Sequence, residues 1–279
     1  MTGALFLALA SSLAYGAADF LGGVAARGAH VLRVVIIAAP ASLLIELLLW
    51  PVVGASFTTA AVTWGAASGV ASAASFALLY RTLAIGPMSV LSPITALVSA
   101  ALPVAVGLIE GETLSALAVG GMLLAFAAIV VVSGGTDIHG LRPSGTALVL
   151  AFGAGAAIAV QLVCLDQAPD DSGIAPLLVG RAVSSAVVLG AAFALLSRLG
   201  DTQPSIGASA AAGALDSLAN FAFLLAVRDG DLAIVAVITA LYPAATVVLA
   251  RAFLAERIGT TQLAGLGLAA VAVSLLAVG

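Results

Sequence analysis

Any chemistry in this chain of 279 residues has to be argued around Asp216, which eleven uncharged residues precede, from Ser205 to Leu215, and eleven follow, from Ser217 to Val227. An acid so placed lies near the middle of a long apolar run, beyond the reach of water. At the centre of a membrane-spanning helix an aspartate costs on the order of 2.5–3.5 kcal/mol to insert, so it must face a cavity or a partner. Asn220 follows one helical turn later on the same face. The pair reads as a site for a cationic group or as a proton-responsive acid; the structural alternative is a hydrogen-bonded clamp between helices.

Asp19 is the second such acid, with Tyr15 four residues earlier on its face. It stands nearer a helix edge, seven uncharged residues from Arg27, so a cavity role competes with a local ion pair. Gln161 is a polar group inside another apolar run. Arg181 lies inside a further one, where its fork can grip a carboxylate, pair with Asp216 or Asp19, or snorkel toward the membrane surface. Tyr242 precedes Pro243, and a proline frees backbone carbonyls that can be turned toward a cavity, as Pro93 and Pro103 also would. Thr95 shares a helix face with Ser99, and Thr239 with Tyr242; bonds to their own helix backbone are the expectation for the threonines. Glu112 and Glu256 stand in short turns just before new helices, where carboxylates stabilise the helix N-terminus.

Enzyme chemistries find few of their parts. Both histidines, His30 and His139, fall between apolar runs and outside any His-Glu-x-x-His array, and all nine basic residues are arginine, which removes a serine–lysine dyad. Cys164 is the single cysteine, so neither a disulfide nor a thiolate metal site forms within one chain. An aspartyl protease using Asp19 and Asp216 is the remaining enzyme reading, and it requires a tightly coupled acid pair. No cofactor is expected.

The elements that must hold these residues follow from composition. With 63% hydrophobic and 8% charged residues, the chain reads as an integral membrane protein, since soluble domains carry about 25% charged residues. The net charge of −4 is small and scattered, without a basic run for nucleic acid. Ten runs have about the twenty apolar residues that cross a bilayer: 4–26, 34–53, 61–80, 90–109, 114–133, 144–165, 175–197, 206–227, 232–254 and 261–278. They are continuously apolar, which predicts helices and not barrel strands. The first run lacks a positive n-region and is expected to be a retained span.

The chain also repeats itself. Ile94-Thr95-Ala96-Leu97 recurs as Ile238-Thr239-Ala240-Leu241, and the same offset of 144 residues pairs Gly86 with Gly230, Glu112 with Glu256, Gly121 with Gly265 and Ser72 with Asp216. Residues 1–135 and 144–279 thus form two five-helix repeats joined by a linker over 136–143. Five is odd, so the second repeat enters the membrane from the opposite face, an inverted repeat suited to alternating access. Small residues four apart, such as Gly65, Gly69 and Ala73, suit close helix packing.

Ten spans in two homologous halves, the segment Tyr15-Gly16-Ala17-Ala18-Asp19-Phe20 and a fourth span closing on Glu110-Gly111-Glu112 together resemble the drug/metabolite transporter superfamily, EamA type, over the whole length. The resemblance implies a secondary transporter with a central cavity lined by spans 1, 3, 4, 6, 8 and 9, often exporting amino acids or other small metabolites. It implies cytoplasmic termini; the arginines at 27, 33, 81, 142, 198, 251 and 257 cluster on the loops of one side and, by the positive-inside rule, point the other way. The expected protein is an all-α, ten-helix exporter in the cell membrane of a prokaryote, its partners a small-molecule substrate, the bilayer and protons as coupling ion, as a monomer or homodimer. Tyr15, Asp19, Ser72, Gln161, Arg181, Asp216, Asn220 and Tyr242 are the expected cavity residues. A passive channel is the alternative of a different class.

Overall fold

A computed structural model describes residues 2–86, 88–134, 144–195, 202–254 and 259–278. Its elements are α1 (Thr2–Arg27), α2 (Val31–Val53), α3 (Thr59–Ile85), α4 (Met88–Ile109), α5 (Ala116–Gly134), α6 (Gly145–Asp166), α7 (Ala175–Ala194), α8 (Ile206–Asp229), α9 (Leu232–Thr239), α10 (Tyr242–Leu254) and α11 (Thr260–Val278). The described residues contain no strand beyond one isolated bridge between Ala55 and Gly173. Hydrocarbon offers the backbone no hydrogen-bond partners, so continuous apolar runs satisfy their own peptide groups by coiling. The runs start where a hydroxyl takes an orphan N–H: Thr58 accepts from Ala61 N at 3.2 Å, Ser144 from Ala147 N at 3.2 Å and Ser205 from Ala208 N at 3.3 Å.

Eight helical segments are long and apolar enough to cross a membrane, with α9 and α10 counted together as Leu232–Phe253; Ala116–Val131 and Thr260–Leu276 are shorter apolar helices. Among the described residues each of the ten expected runs is therefore built on helix, but the ninth is two helices. Pro243 has no N–H to give Thr239, and the chain breaks at Ala240-Leu241 before restarting with the proline in the first turn of α10. The corresponding position in α4 is Ser99, and α4 runs unbroken through both Pro93 and Pro103, which corrects the expectation that all three prolines interrupt their helices. The linker over 136–143 and Glu256 lie outside the described residues.

The two groups of helices interleave. The α1 helix lies along α8 and α6 along α3, α2 and α7 meet and flank α8 and α3, α4 packs on α6 and α9, and α5 packs on α11. Close approach is possible because side chains are missing where backbones cross: a methyl placed on Gly69 would overlap the carbonyl oxygen of Gly180 across the α3–α7 contact. One end of the bundle is tied by loops. There Ser56 N donates to Ser172 O at 3.0 Å, Arg228 Nη2 to Gly173 O at 2.8 Å and Gln167 Nε2 to Glu110 Oε1 at 2.6 Å. At that same end Glu112 receives Leu232 N at 2.6 Å and Ala233 N at 3.0 Å, so it caps α9 and not the α5 that follows it in sequence.

Candidate functional site

The α7 helix carries Arg181 into the middle of the bundle, where it is 3% exposed and each guanidinium nitrogen has an acceptor. Nε donates to Glu46 Oε1 at 3.2 Å, Nη1 to Ser72 Oγ at 2.7 Å and Nη2 to Asp216 Oδ2 at 2.5 Å. The ring of Phe76 lies 5.5 Å from its guanidinium carbon. Snorkelling to the surface, one of the sequence alternatives, does not occur, because two carboxylates and a hydroxyl inside the bundle solvate the charge better than an interface would.

Glu46, in α2, is fully buried and did not figure among the sequence candidates. The depth argument applied to Asp216 would have found it, since residues 34–45 and 47–80 carry no charge. Its Oε1 also receives Ser217 Oγ at 2.9 Å, while Oε2 has no partner. From Asp216 the polar chain continues through Asn220, whose Nδ2 reaches Asp216 Oδ2 at 3.2 Å and the Asp216 carbonyl at 2.8 Å. Gln161 Nε2 then donates to Asn220 Oδ1 at 2.6 Å, and Ser75 Oγ to Gln161 Oε1 at 3.3 Å. Five helices, α2, α3, α6, α7 and α8, thus meet in one buried network.

Beside the network lies a cavity lined by residues of α1, α3, α4, α6, α8, α9 and α10 together with Ala240 at the break, among them Tyr15, Asp19, Gln161, Asp216, Thr239 and Tyr242. The free space admits the centres of water-sized groups over only ≈ 20 Å³, room for about one or two waters. Asp19 is 5% exposed, and the local pairing with Arg27 considered from the sequence is not made. Tyr15 and Tyr242 approach with ring centroids 6.4 Å apart. Thr95 behaves as a backbone-bonded threonine, donating to Leu91 O at 3.0 Å, whereas its repeat counterpart Thr239 keeps a buried, unpartnered hydroxyl at the cavity wall.

All eight residues singled out in the sequence converge on this centre. Ser72, Arg181 and Asn220 belong to the network, Tyr15, Asp19 and Tyr242 to the cavity, and Gln161 and Asp216 to both. Tyr80, Phe76 and Ser75 also line the cavity without having been named; Tyr80 sits next to Arg81, which marks it in sequence as a helix end. No group of three or more His, Cys, Asp or Glu side chains suited to a metal occurs among the described residues.

Comparison with known proteins bears on both fold and family. Residues 145–278 match the profile of the EamA-like transporter family. A crystal structure of a protein only 12% identical superposes with a TM-score of 0.76, covering 100% of this chain and 97% of that one, which shows a shared fold. No curated protein matches.

Proposed function

We propose, from the match of residues 145–278 to the EamA-like transporter family, that this chain is a member of that family in the drug/metabolite transporter superfamily and a secondary active transporter. It exports a small metabolite by alternating access around the cavity, and its halves act as inverted five-helix repeats over 1–135 and 144–279. One observation carries this reading. Arg181 bonds Ser72 and Asp216, positions 144 residues apart that the internal repeat makes equivalent, so the guanidinium sits where the two halves meet. The helix pairings have the same form, because exchanging the halves turns the α1–α8 contact into α6–α3 and α2–α8 into α7–α3. A cavity closed to about one or two waters fits an occluded member of such a cycle.

The aspartyl-protease alternative is not favoured. Asp216 is held by Arg181 and Asn220 and does not share a proton with Asp19 as a catalytic pair would. The transport reading is tested in proteoliposomes: uptake of a metabolite panel should saturate and follow an imposed gradient, and unsaturable flux would favour a channel. Topology is tested with Ser56→Cys and Gln203→Cys, each in a Cys164→Ala background, which must label from opposite faces of the membrane. Labelling of both from one face would end the inverted-repeat reading.

A further inference from the structure

The charges around the cavity do not balance, and the imbalance has a direction. Its fifteen lining residues include two acids, Asp19 and Asp216, and no base. Arg181, the one fully buried base among the described residues, stands outside that lining with each nitrogen already donating to Glu46, Ser72 or Asp216. It has no arm to offer a ligand carboxylate. Asp216 has its cation; Asp19, more deeply enclosed, has neither an ion pair nor a hydrogen bond among the described residues.

What surrounds Asp19 suits positive charge. All three tyrosines of the chain, Tyr15, Tyr80 and Tyr242, line this one cavity. A methyl on Gly22 of α1 would overlap the Tyr80 ring, so the missing side chain lets that ring lie against α1. The Tyr15 hydroxyl and Thr239 Oγ1 are buried without partners and can accept N–H bonds. Aromatic faces attract a desolvated cation, and a carboxylate beside them supplies the counter-charge. The centres of water-sized groups have ≈ 20 Å³ open to them, which admits about one ammonium-sized group.

We propose that the cavity is an ammonium site, in which Asp19 pairs with the cationic nitrogen of an organic amine, the tyrosine rings enclose it, and the Tyr15 and Thr239 hydroxyls accept its hydrogens. The ligand is a net cation and not a zwitterion, because a carboxylate drawn into this space would meet Asp19 and Asp216 with no free base. The inference rests on the transporter reading for its biological sense, but the site can be tested without flux.

The test compares four probes of one chain length, n-butylammonium, 4-aminobutyrate, butyrate and 1-butanol, by their effect on the unfolding midpoint of the full chain in detergent. Only n-butylammonium should raise the midpoint saturably, at least about tenfold more tightly than 4-aminobutyrate, as expected for one charge-assisted contact. Asp19→Asn should weaken it by a similar factor. Should that variant fail to fold, Tyr80→Leu takes its place and should weaken the amine several-fold. Butyrate or 4-aminobutyrate stabilising as well as the amine, no saturable amine effect, or an amine effect unchanged by the variants would overturn the proposal. Amine binding without gradient-driven flux would leave the site standing and remove the transporter reading; saturable flux of an anion without amine binding would do the reverse.

Discussion

Arg181 and Asp19 occupy the same polar centre and are treated in opposite ways. Around Arg181 the donors and acceptors are almost all spoken for: two carboxylates, Glu46 and Asp216, converge on one guanidinium, and Ser72, Ser217 and Asn220 complete their bonds. Around Asp19 the carboxylate, the Tyr15 hydroxyl and the Thr239 hydroxyl have no hydrogen-bond or ion-pair partner among the described residues. A buried charge is tolerated in hydrocarbon only when paired or when facing a cavity. The Arg181 side meets the first condition and the Asp19 side the second. Charge in a membrane interior therefore marks two distinct things here, a joint between helices and a vacancy for a ligand, and the neighbours tell them apart.

Removing Arg181 should produce the largest effect on that contrast. Arg181→Met leaves Glu46 and Asp216 buried without their cation, a loss on the order of 3–5 kcal/mol, which thermal unfolding in detergent would register as a large fall in midpoint. Arg181→Lys should recover only part of it, since an ammonium cannot fork across Glu46, Ser72 and Asp216 together. Next comes Asp216→Asn, which removes one charged acceptor while Glu46 remains on Arg181, at a cost of about 2 kcal/mol. Asp19→Asn, by contrast, should change stability by less than about 1 kcal/mol, because no protein partner is lost. Equal losses from the two aspartates would abolish the distinction between joint and vacancy.

Much of this was legible from isolation in sequence. A charge set in a long uncharged run is conspicuous, with eleven such residues on either side of Asp216, seven between Asp19 and Arg27, and nine between Asp171 and Arg181. Glu46 carries the same signal, and its carboxylate orients Arg181. Pairings were not legible, since 135 residues separate Glu46 from Arg181 and their meeting depends on how α2 and α7 cross. The ten apolar runs gave the helices, but the contrast between α4 and the broken ninth span turns on Pro243 standing where the first half has Ser99. Glu112 was read as the cap of its own following helix and instead holds α9, a contact between sequence-distant elements that spacing cannot reveal.

That cap gives a smaller effect outside the membrane core. Glu112→Gln should cost about 1 kcal/mol by weakening one of two charged acceptors at the α9 N-terminus. It should also change the pH response. Burial raises the Glu112 carboxyl above the ordinary glutamate value, against the lowering pull of the Ala233 and Leu232 N–H groups. The folded state then binds the Glu112 proton more tightly than the unfolded chain does. Its contribution to stability falls as pH climbs from the unfolded carboxyl's value, about 4.3, through the higher folded one. Midpoints measured from about pH 4 upward should lose that component in Glu112→Gln; an unchanged profile would show that the carboxylate is not the titrating group.

The finest test of the contrast removes a single oxygen from each side. Tyr15→Phe deletes a buried hydroxyl that bonds nothing, while the ring keeps its place 6.4 Å from Tyr242. Burying an unpaired polar group is unfavourable, so stability should hold or rise by up to about 1 kcal/mol. Ser217→Ala deletes a hydroxyl of similar burial that donates to Glu46 Oε1 at 2.9 Å, and it should lose about 1–2 kcal/mol because the carboxylate is left with less support. Opposite signs from two one-atom deletions would separate the halves of the centre without disturbing its packing. A loss from Tyr15→Phe as large as that from Ser217→Ala would mean that the Tyr15 hydroxyl is already bonded in the folded protein, and the Asp19 side would then be another joint.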